Sequence, residues 1–459
     1  GYYFVKDRDG KVGTSDDSYT KFLLQLLGDE VVNAKAVVPT HTKTITGGDV
    51  NNNLDKDPTT VGDVHYNNEA IGDDVPFKIT TSVPDMREYD RYQFALEDIM
   101  DKGLTFKEDT VVIKVGDKQL NKGKLVNGDV QDGDYAVVVD SNYTISDGKT
   151  GTKVEIIFGN FIQYKGQAGA IITITYSATL NEDATIGPEG NRNTSSLKYS
   201  INPNHVGEKD NFEESDPKGT TPESWTKTFV TAVKLSKISA ENGGALTGAQ
   251  FTIEGTRLNQ MVVTGYEFVE NNTSGTYWKL NDGSFTTDNP ATPGMDTSKY
   301  ESTETKYEKK QITTVKNSSE NNTTKISETL EVNDEGVLTF KGLAAGTYEI
   351  TEVKSPAGYN LLSEPIYLEV EMTAIPENSY PATTTCTWTI YQKDKDGNYL
   401  KKDASTGAIT TTTNKAEAIT LELEGDTNVF KIDVENSAGS MLPSTGGIGT
   451  TIFYVVGGI

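Results

Sequence analysis

Lys237, Glu352 and Asn436 each finish a run of alternating apolar residues: Val233, Leu235, Lys237; Tyr348, Ile350, Glu352; Phe430, Ile432, Val434, Asn436. In an extended chain, side chains two apart share a face, so each polar group is expected on a face that packs inward. A second trio follows in the same order. Lys43 lies with Ile45, Asp98 follows Phe94 and Leu96 if that stretch is extended, and Asn193 shares parity with Leu197 and Tyr199. Asn202 has the opposite parity, so Asn193 is preferred. Taken singly, such a residue is ordinarily a strand end turning out to water; two trios in one order favour a chemical reading. A buried ion pair is a poor stabiliser, because desolvation can exceed the Coulomb gain. Burial instead drives an amine and a carboxyl toward their neutral forms. A neutral lysine amine is a nucleophile, and a carboxylic acid can polarise a carboxamide and pass a proton to departing ammonia. The expected product is a Lys–Asn amide, with Asp98 and Glu352 as promoters, tying the first strand of a domain to its last as a disulfide would.

The composition leaves room for that device and little for others. Among 459 residues, 42 Lys and Arg face 67 Asp and Glu, a formal charge of −25. Phosphate binding needs clustered basic residues, so nucleic acid is excluded as a partner. Cys386 is the single cysteine, which rules out an internal disulfide framework and a cysteine zinc site. Three scattered histidines, His41, His65 and His205, give little for a metal centre or a catalytic triad. No metal, no cofactor and no conventional enzyme are expected. Asp394-Lys-Asp-Gly-Asn398 has the wrong glycine position for a calcium loop and reads as a hairpin turn.

The elements that must position these residues are strands. Val111–Val115, Tyr135–Val139, Lys153–Phe158 and Ile171–Tyr176 are short β-branched runs, with turn clusters such as Ser146-Asp-Gly148 between them. This spacing predicts an all-β chain of tandem immunoglobulin-like sandwiches. The stretch Tyr92 to Lys102 is ambiguous between helix and strand. Residues 1–34 read as the tail of an earlier domain, 36–206 as one sandwich, 207–225 as a linker, 226–438 as a second sandwich, and 439–459 as a terminal signal. The Thr/Asn/Ser-rich stretches near 286–325 and 402–415 read as long hairpins or insertions, with low-complexity disorder as the alternative. The start at Gly1 without a leader, and the short apolar run 451–459, suggest a fragment of a secreted protein cut within a membrane tail.

Gly346-Thr-Tyr-Glu-Ile-Thr-Glu-Val-Lys-Ser-Pro-Ala-Gly-Tyr359 resembles the E-box of Gram-positive pilins, with Ile350 and Val353 as departures. Leu235–Gly243 followed by Leu246–Phe251 resembles the opening of a collagen-adhesin B-type domain, and Val434-Glu-Asn436 its closing strand. Residues 36–206 resemble the fimbrial isopeptide-formation D2 domain. The resemblance implies a D2 (collagen-adhesin A-like) domain followed by a B-type domain, each with an internal Lys–Asn isopeptide.

Leu442, Pro443, Ser444, Thr445 and Gly446 form a Leu-Pro-x-Thr-Gly motif after the last strand signal. In the family it resembles, a sortase cuts between Thr and Gly and passes the threonine carbonyl to a lysine of the next subunit, or to the cell-wall peptide. Lys35, between the first segment and the D2-like unit, sits where the family carries that acceptor, although Asn33, Ala34 and Ala36 depart from the usual motif. The resemblance therefore implies a secreted, wall-anchored backbone pilin whose partners are sortases, other pilin subunits, peptidoglycan and host surface ligands. A monomeric wall-anchored adhesin is the alternative; it needs the same sandwiches and signal but no acceptor lysine. A wall-anchored hydrolase is disfavoured, since the acids singled out lie on apolar faces.

Overall fold

The computed structural model describes residues 2–6, 21–25, 39–46, 63–256, 258, 260–281, 283, 285–317, 325–374, 385–425 and 427–439. Strands dominate them, in two compact units that divide at Val230 and Thr231; a short segment, Met372–Trp388, groups with the first unit. Tyr2–Lys6 and Lys21–Gln25 form a separate antiparallel hairpin. Among the described residues no helix is long and apolar enough to cross a membrane.

The first unit is built from two main sheets. One runs in the order Tyr135–Thr144, Thr150–Phe158, Phe94–Asp101, Asn191–Ser200, Ser224–Phe229, Tyr66–Asn68. The other runs Asp63–Val64, His41–Thr46, Asp74–Ser82, Ile171–Leu180, Leu104–Val115, Lys118–Gln119. Strict alternation of buried and partly exposed positions in Asp74–Ser82 and Ile171–Leu180 directs Phe77, Ile79, Ile172 and Ile174 into the core. Phe94, Leu96, Leu197 and Tyr199 are buried as well.

The ambiguous stretch at Tyr92 contains a strand, Phe94–Asp101. It pairs on both sides, with Thr150–Phe158 and Asn191–Ser200, so ladder bonds from two neighbours decide what local pattern left open. The segment read as a linker, 207–225, also differs from its expectation. Lys218–Thr220 pairs with the Asn193 strand, and Ser224–Phe229 is a buried strand of the same sheet. The reason lies in polar anchoring. The Gln93 amide donates to the carbonyls of Lys209 and Asn211 and to Asp216 Oδ2, and its oxygen accepts from the Gly207 backbone. A segment held by hydrogen bonds carries little apolar pattern.

The second unit repeats the two-layer scheme. One sheet runs Tyr307–Asn317, Gln260–Glu270, Val337–Leu343, Thr231–Ser239, Phe430–Asn436, Glu422–Leu423. The other runs Lys325–Glu331, Gln250–Gly255, Gly346–Lys354, Ile366–Ala374, Cys386–Lys393, Tyr399–Lys402, Ile409–Thr412. Thr231–Ser239 and Phe430–Asn436 are parallel neighbours, with Lys237 opposite Val434 and Ser239 opposite Asn436. Tyr307–Asn317 closes a long hairpin with Gln260–Glu270, and Tyr399–Lys402 a short one with Ile409–Thr412. At Asp394–Asn398 the chain makes a turn in which Asp394 Oδ1 accepts from the backbone of Asp396 and Asn398.

Candidate cross-linking centres

Each trio converges on one buried point of its unit. In the second, alternation seats Lys237 beyond Val233 and Leu235, Glu352 beyond Tyr348 and Ile350, and Asn436 beyond Ile432 and Val434, and all three are buried. The Lys237 and Asn436 strands are neighbours, while Glu352 comes from the facing sheet. Lys237 Nζ donates to Asn436 Oδ1 at 2.6 Å and to the Val434 carbonyl at 2.9 Å. Asn436 Nδ2 donates to Glu352 Oε1 at 3.0 Å and Oε2 at 3.1 Å, and Glu352 Oε1 lies 3.8 Å from Lys237 Nζ. The carboxyl thus touches the nitrogen that would leave and lies within ion-pair range of the amine that would attack. The Leu362 backbone N–H fixes Glu352 Oε2 at 2.8 Å. Burial pulls the Lys237 amine down to about 8, against the opposing pull of Glu352.

The lysine is placed by a tight backbone approach. Lys237 N donates to the Gly336 carbonyl at 2.7 Å, and Leu246 N donates to the Lys237 carbonyl at 2.8 Å. Gly336 has φ of +71°, and a Cβ there would lie 2.9 Å from the Lys237 carbonyl oxygen and 2.8 Å from that of Leu246. Glycine alone fits without strain.

In the first unit, Lys43, Asp98 and Asn193 are likewise fully buried. Lys43 belongs to one sheet; Asp98 and Asn193 sit on paired strands of the other. The Lys43 backbone N–H donates to Ser224 Oγ, so the Ser224–Phe229 strand helps set its height. Lys43 Nζ donates to Asp98 Oδ2 and to the Tyr176 hydroxyl. Tyr176 in turn donates to Asp98 Oδ2 at 2.6 Å, and Asn193 Nδ2 donates to the Tyr176 hydroxyl at 2.9 Å. The Lys43 Nζ also lies 5.0 Å and 5.1 Å from the ring centres of Tyr176 and Phe77. Asp98 Oδ1 and Asn193 Oδ1 are buried without a hydrogen-bond partner. Burial lowers the Lys43 amine and raises the Asp98 carboxyl, each against the attraction of the other, so both are biased toward neutrality.

Asn193 is not on the last strand of its unit, since Lys218–Thr220 and Ser224–Phe229 follow it. Tyr176 is the member that sequence reasoning missed. Its signal was present, because Ile172, Ile174 and Tyr176 share parity on one β-branched run. Lys35 and the motif residues Leu442, Pro443, Ser444, Thr445 and Gly446 lie outside the described residues.

Two stretches match known families. Residues 71–203, inside the first unit, match the family described as Gram-positive pilin backbone subunit 2, Cna-B-like domain. Residues 295–381, of which 295–371 fall in the second, match a prealbumin-like fold domain. The B-type description therefore falls on the unit expected to be D2-like. The trypsin-resistant surface T6 protein of Streptococcus pyogenes serotype M6 is 24% identical over 462 residues, covering 92% of this chain and 67% of that protein. Among solved structures, the T6 backbone pilin of serotype M6 Streptococcus pyogenes aligns with a TM-score of 0.49 and 15% identity over 93% of this chain and 78% of that one. The full-length major pilin RrgB of Streptococcus pneumoniae aligns at 0.44 and 16% over 94% and 80%. The chain thus carries all-β domains of the Gram-positive pilin backbone Cna-B-like kind at residues 71–203 and of the prealbumin-like kind at 295–381, and it is similar along most of its length to the T6 surface protein.

Proposed function

We propose that this chain is a structural subunit of a covalently polymerised Gram-positive surface pilus, stiffened by two internal Lys–Asn amides. The observation that carries the internal bonds is the contact set of the second centre. Glu352 touches the Asn436 amide nitrogen and lies 3.8 Å from the Lys237 amine, all three in a dry site. Lys237 passes a proton to Glu352, and the neutral Nζ attacks Asn436 Cγ. Glu352 then gives that proton to Nδ2 as the Cγ–Nδ2 bond breaks and takes the second proton from Nζ, so one ammonia leaves, one amide forms and the acid ends protonated. In the first unit Lys43 is the amine, Asn193 the carboxamide and Asp98 the buried acid. Between subunits, a sortase joins the carbonyl of Thr445 to an amine, for which Lys35 is the acceptor, and the last subunit is passed to peptidoglycan. The match of residues 71–203 to the Gram-positive pilin backbone domain supports the pilin role.

Tandem mass spectrometry of a digest is expected to find Lys237 with Asn436, and Lys43 with Asn193, as two branched peptides, each lighter by one ammonia. Linear peptides at both positions would refute the internal bonds. With the protein displayed on cells, Lys35→Ala is expected to collapse a ladder of covalent oligomers to single anchored subunits. An undiminished ladder removes Lys35 from the mechanism, and no ladder in the unsubstituted protein favours the monomeric adhesin.

A further inference from the structure

We infer that Tyr176 is a catalytic member of the first centre, the proton relay between Asp98 and the amide nitrogen of Asn193. This rests on the cross-linking reading and specifies how one of the two centres works. The two centres are not chemically equivalent. Glu352 reaches the Asn436 amide nitrogen with both oxygens. Asp98 is shorter by one methylene; its Oδ2 holds Lys43 and Tyr176, while its Oδ1 has no partner. The Asn193 amide nitrogen instead bonds the Tyr176 hydroxyl. That hydroxyl accepts from the attacking amine as well, so one oxygen touches the nucleophile, the acid and the leaving group. Its ring is clamped between Phe77 and Phe106, with centroids 5.3 Å and 5.5 Å away, which holds the hydroxyl in place. Burial keeps the phenol protonated far beyond neutral pH, so the group carries a proton without releasing it to solvent.

The step balances. Lys43 gives a proton to Asp98, and its neutral Nζ attacks Asn193 Cγ. As the Cγ–Nδ2 bond breaks, Tyr176 hands its hydroxyl proton to Nδ2 and takes one from Asp98. Asp98 then takes the second proton from Nζ, so the Lys–Asn amide, free ammonia, unchanged Tyr176 and a protonated Asp98 remain.

Tyr176→Phe keeps the ring and removes the relay. In a cell-free translation that is stopped and then sampled over time, the Lys43–Asn193 branched peptide is expected to form about 10²-fold more slowly than in the unsubstituted chain. The Lys237–Asn436 peptide of the same chains, formed at its usual rate, serves as an internal clock. Equal rates of both bonds in the Phe variant would overturn the relay. If that variant leaves the first unit open to trypsin, 3-fluorotyrosine at position 176 keeps the hydroxyl and makes it more acidic. The relay then requires a changed rate and an altered pH profile for the first bond, and an unchanged profile overturns it. Absence of the first branched peptide from the unsubstituted protein overturns the cross-linking reading itself, whatever Tyr176 does.

Discussion

Lys237 carries the largest consequence of any single side chain in the second unit. If its amine is consumed in an amide, it no longer titrates; if Asn436 is removed, it stays a buried amine. In Asn436→Ala, the folded amine near 8 faces an unfolded value of 10.5. Between those limits the unfolded chain holds a proton that the folded chain has released, so stability rises with pH across the window. The gain is about 3 kcal/mol in all. Unfolding of Asn436→Ala and of the unsubstituted protein, measured from about pH 7.5 to about 11, just beyond each end of the window, is expected to show this rise in their difference. A flat difference would mean that Lys237 is solvated in the variant. The Lys, acid and Asn of both centres were legible in sequence because each breaks an apolar alternation with a costly group. Tyr176 shares such an alternation with Ile172 and Ile174 but does not break it, since an aromatic ending such a run is ordinary core chemistry.

Strands fared similarly. Those with a clean two-residue period, such as Ile171–Leu180, could be read directly, and their faces came with them. Phe94–Asp101 could not, because its identity comes from pairing on both sides rather than from local pattern. The stretch 207–216 was illegible for a different reason: it is held by polar contacts, four of them to the side chain of Gln93 and others through Asp210. Gln93→Leu leaves those backbone groups without their partner, at a cost of about 1–3 kcal/mol. Limited proteolysis is expected to cut the variant first within 207–216, with a lower melting temperature of the first unit. Cleavage unchanged in place and rate would show that the strands on either side suffice. Sequence also gave no hint that the two proposed bonds differ in kind. The first would join facing sheets, and the second would join neighbours within one sheet.

Over the whole chain, the proposed bonds close loops of 150 positions (193 − 43) and 199 positions. In the chain-entropy model each is worth about 5 kcal/mol, less any native strain. Trypsin is the simplest probe, because it cuts chains that open. The unsubstituted protein is expected to survive trypsin in both units. A variant carrying Asp98→Ala and Glu352→Ala together is expected to be digested at a temperature where the parent stays whole. Equal survival would mean that packing alone protects the sandwiches.

The parallel pairing of Thr231–Ser239 with Phe430–Asn436 has a mechanical meaning. Tension arriving at the start of the first strand and leaving from the end of the last pulls two parallel neighbours past each other. Their seven paired positions are then loaded in shear, all at once, rather than peeled apart one rung at a time. A covalent tie from Lys237 to Asn436 shortens the route further. The pull would cross from one strand to the other at the far end of the pair, and every residue between those two positions would hang beside the load as a slack side branch.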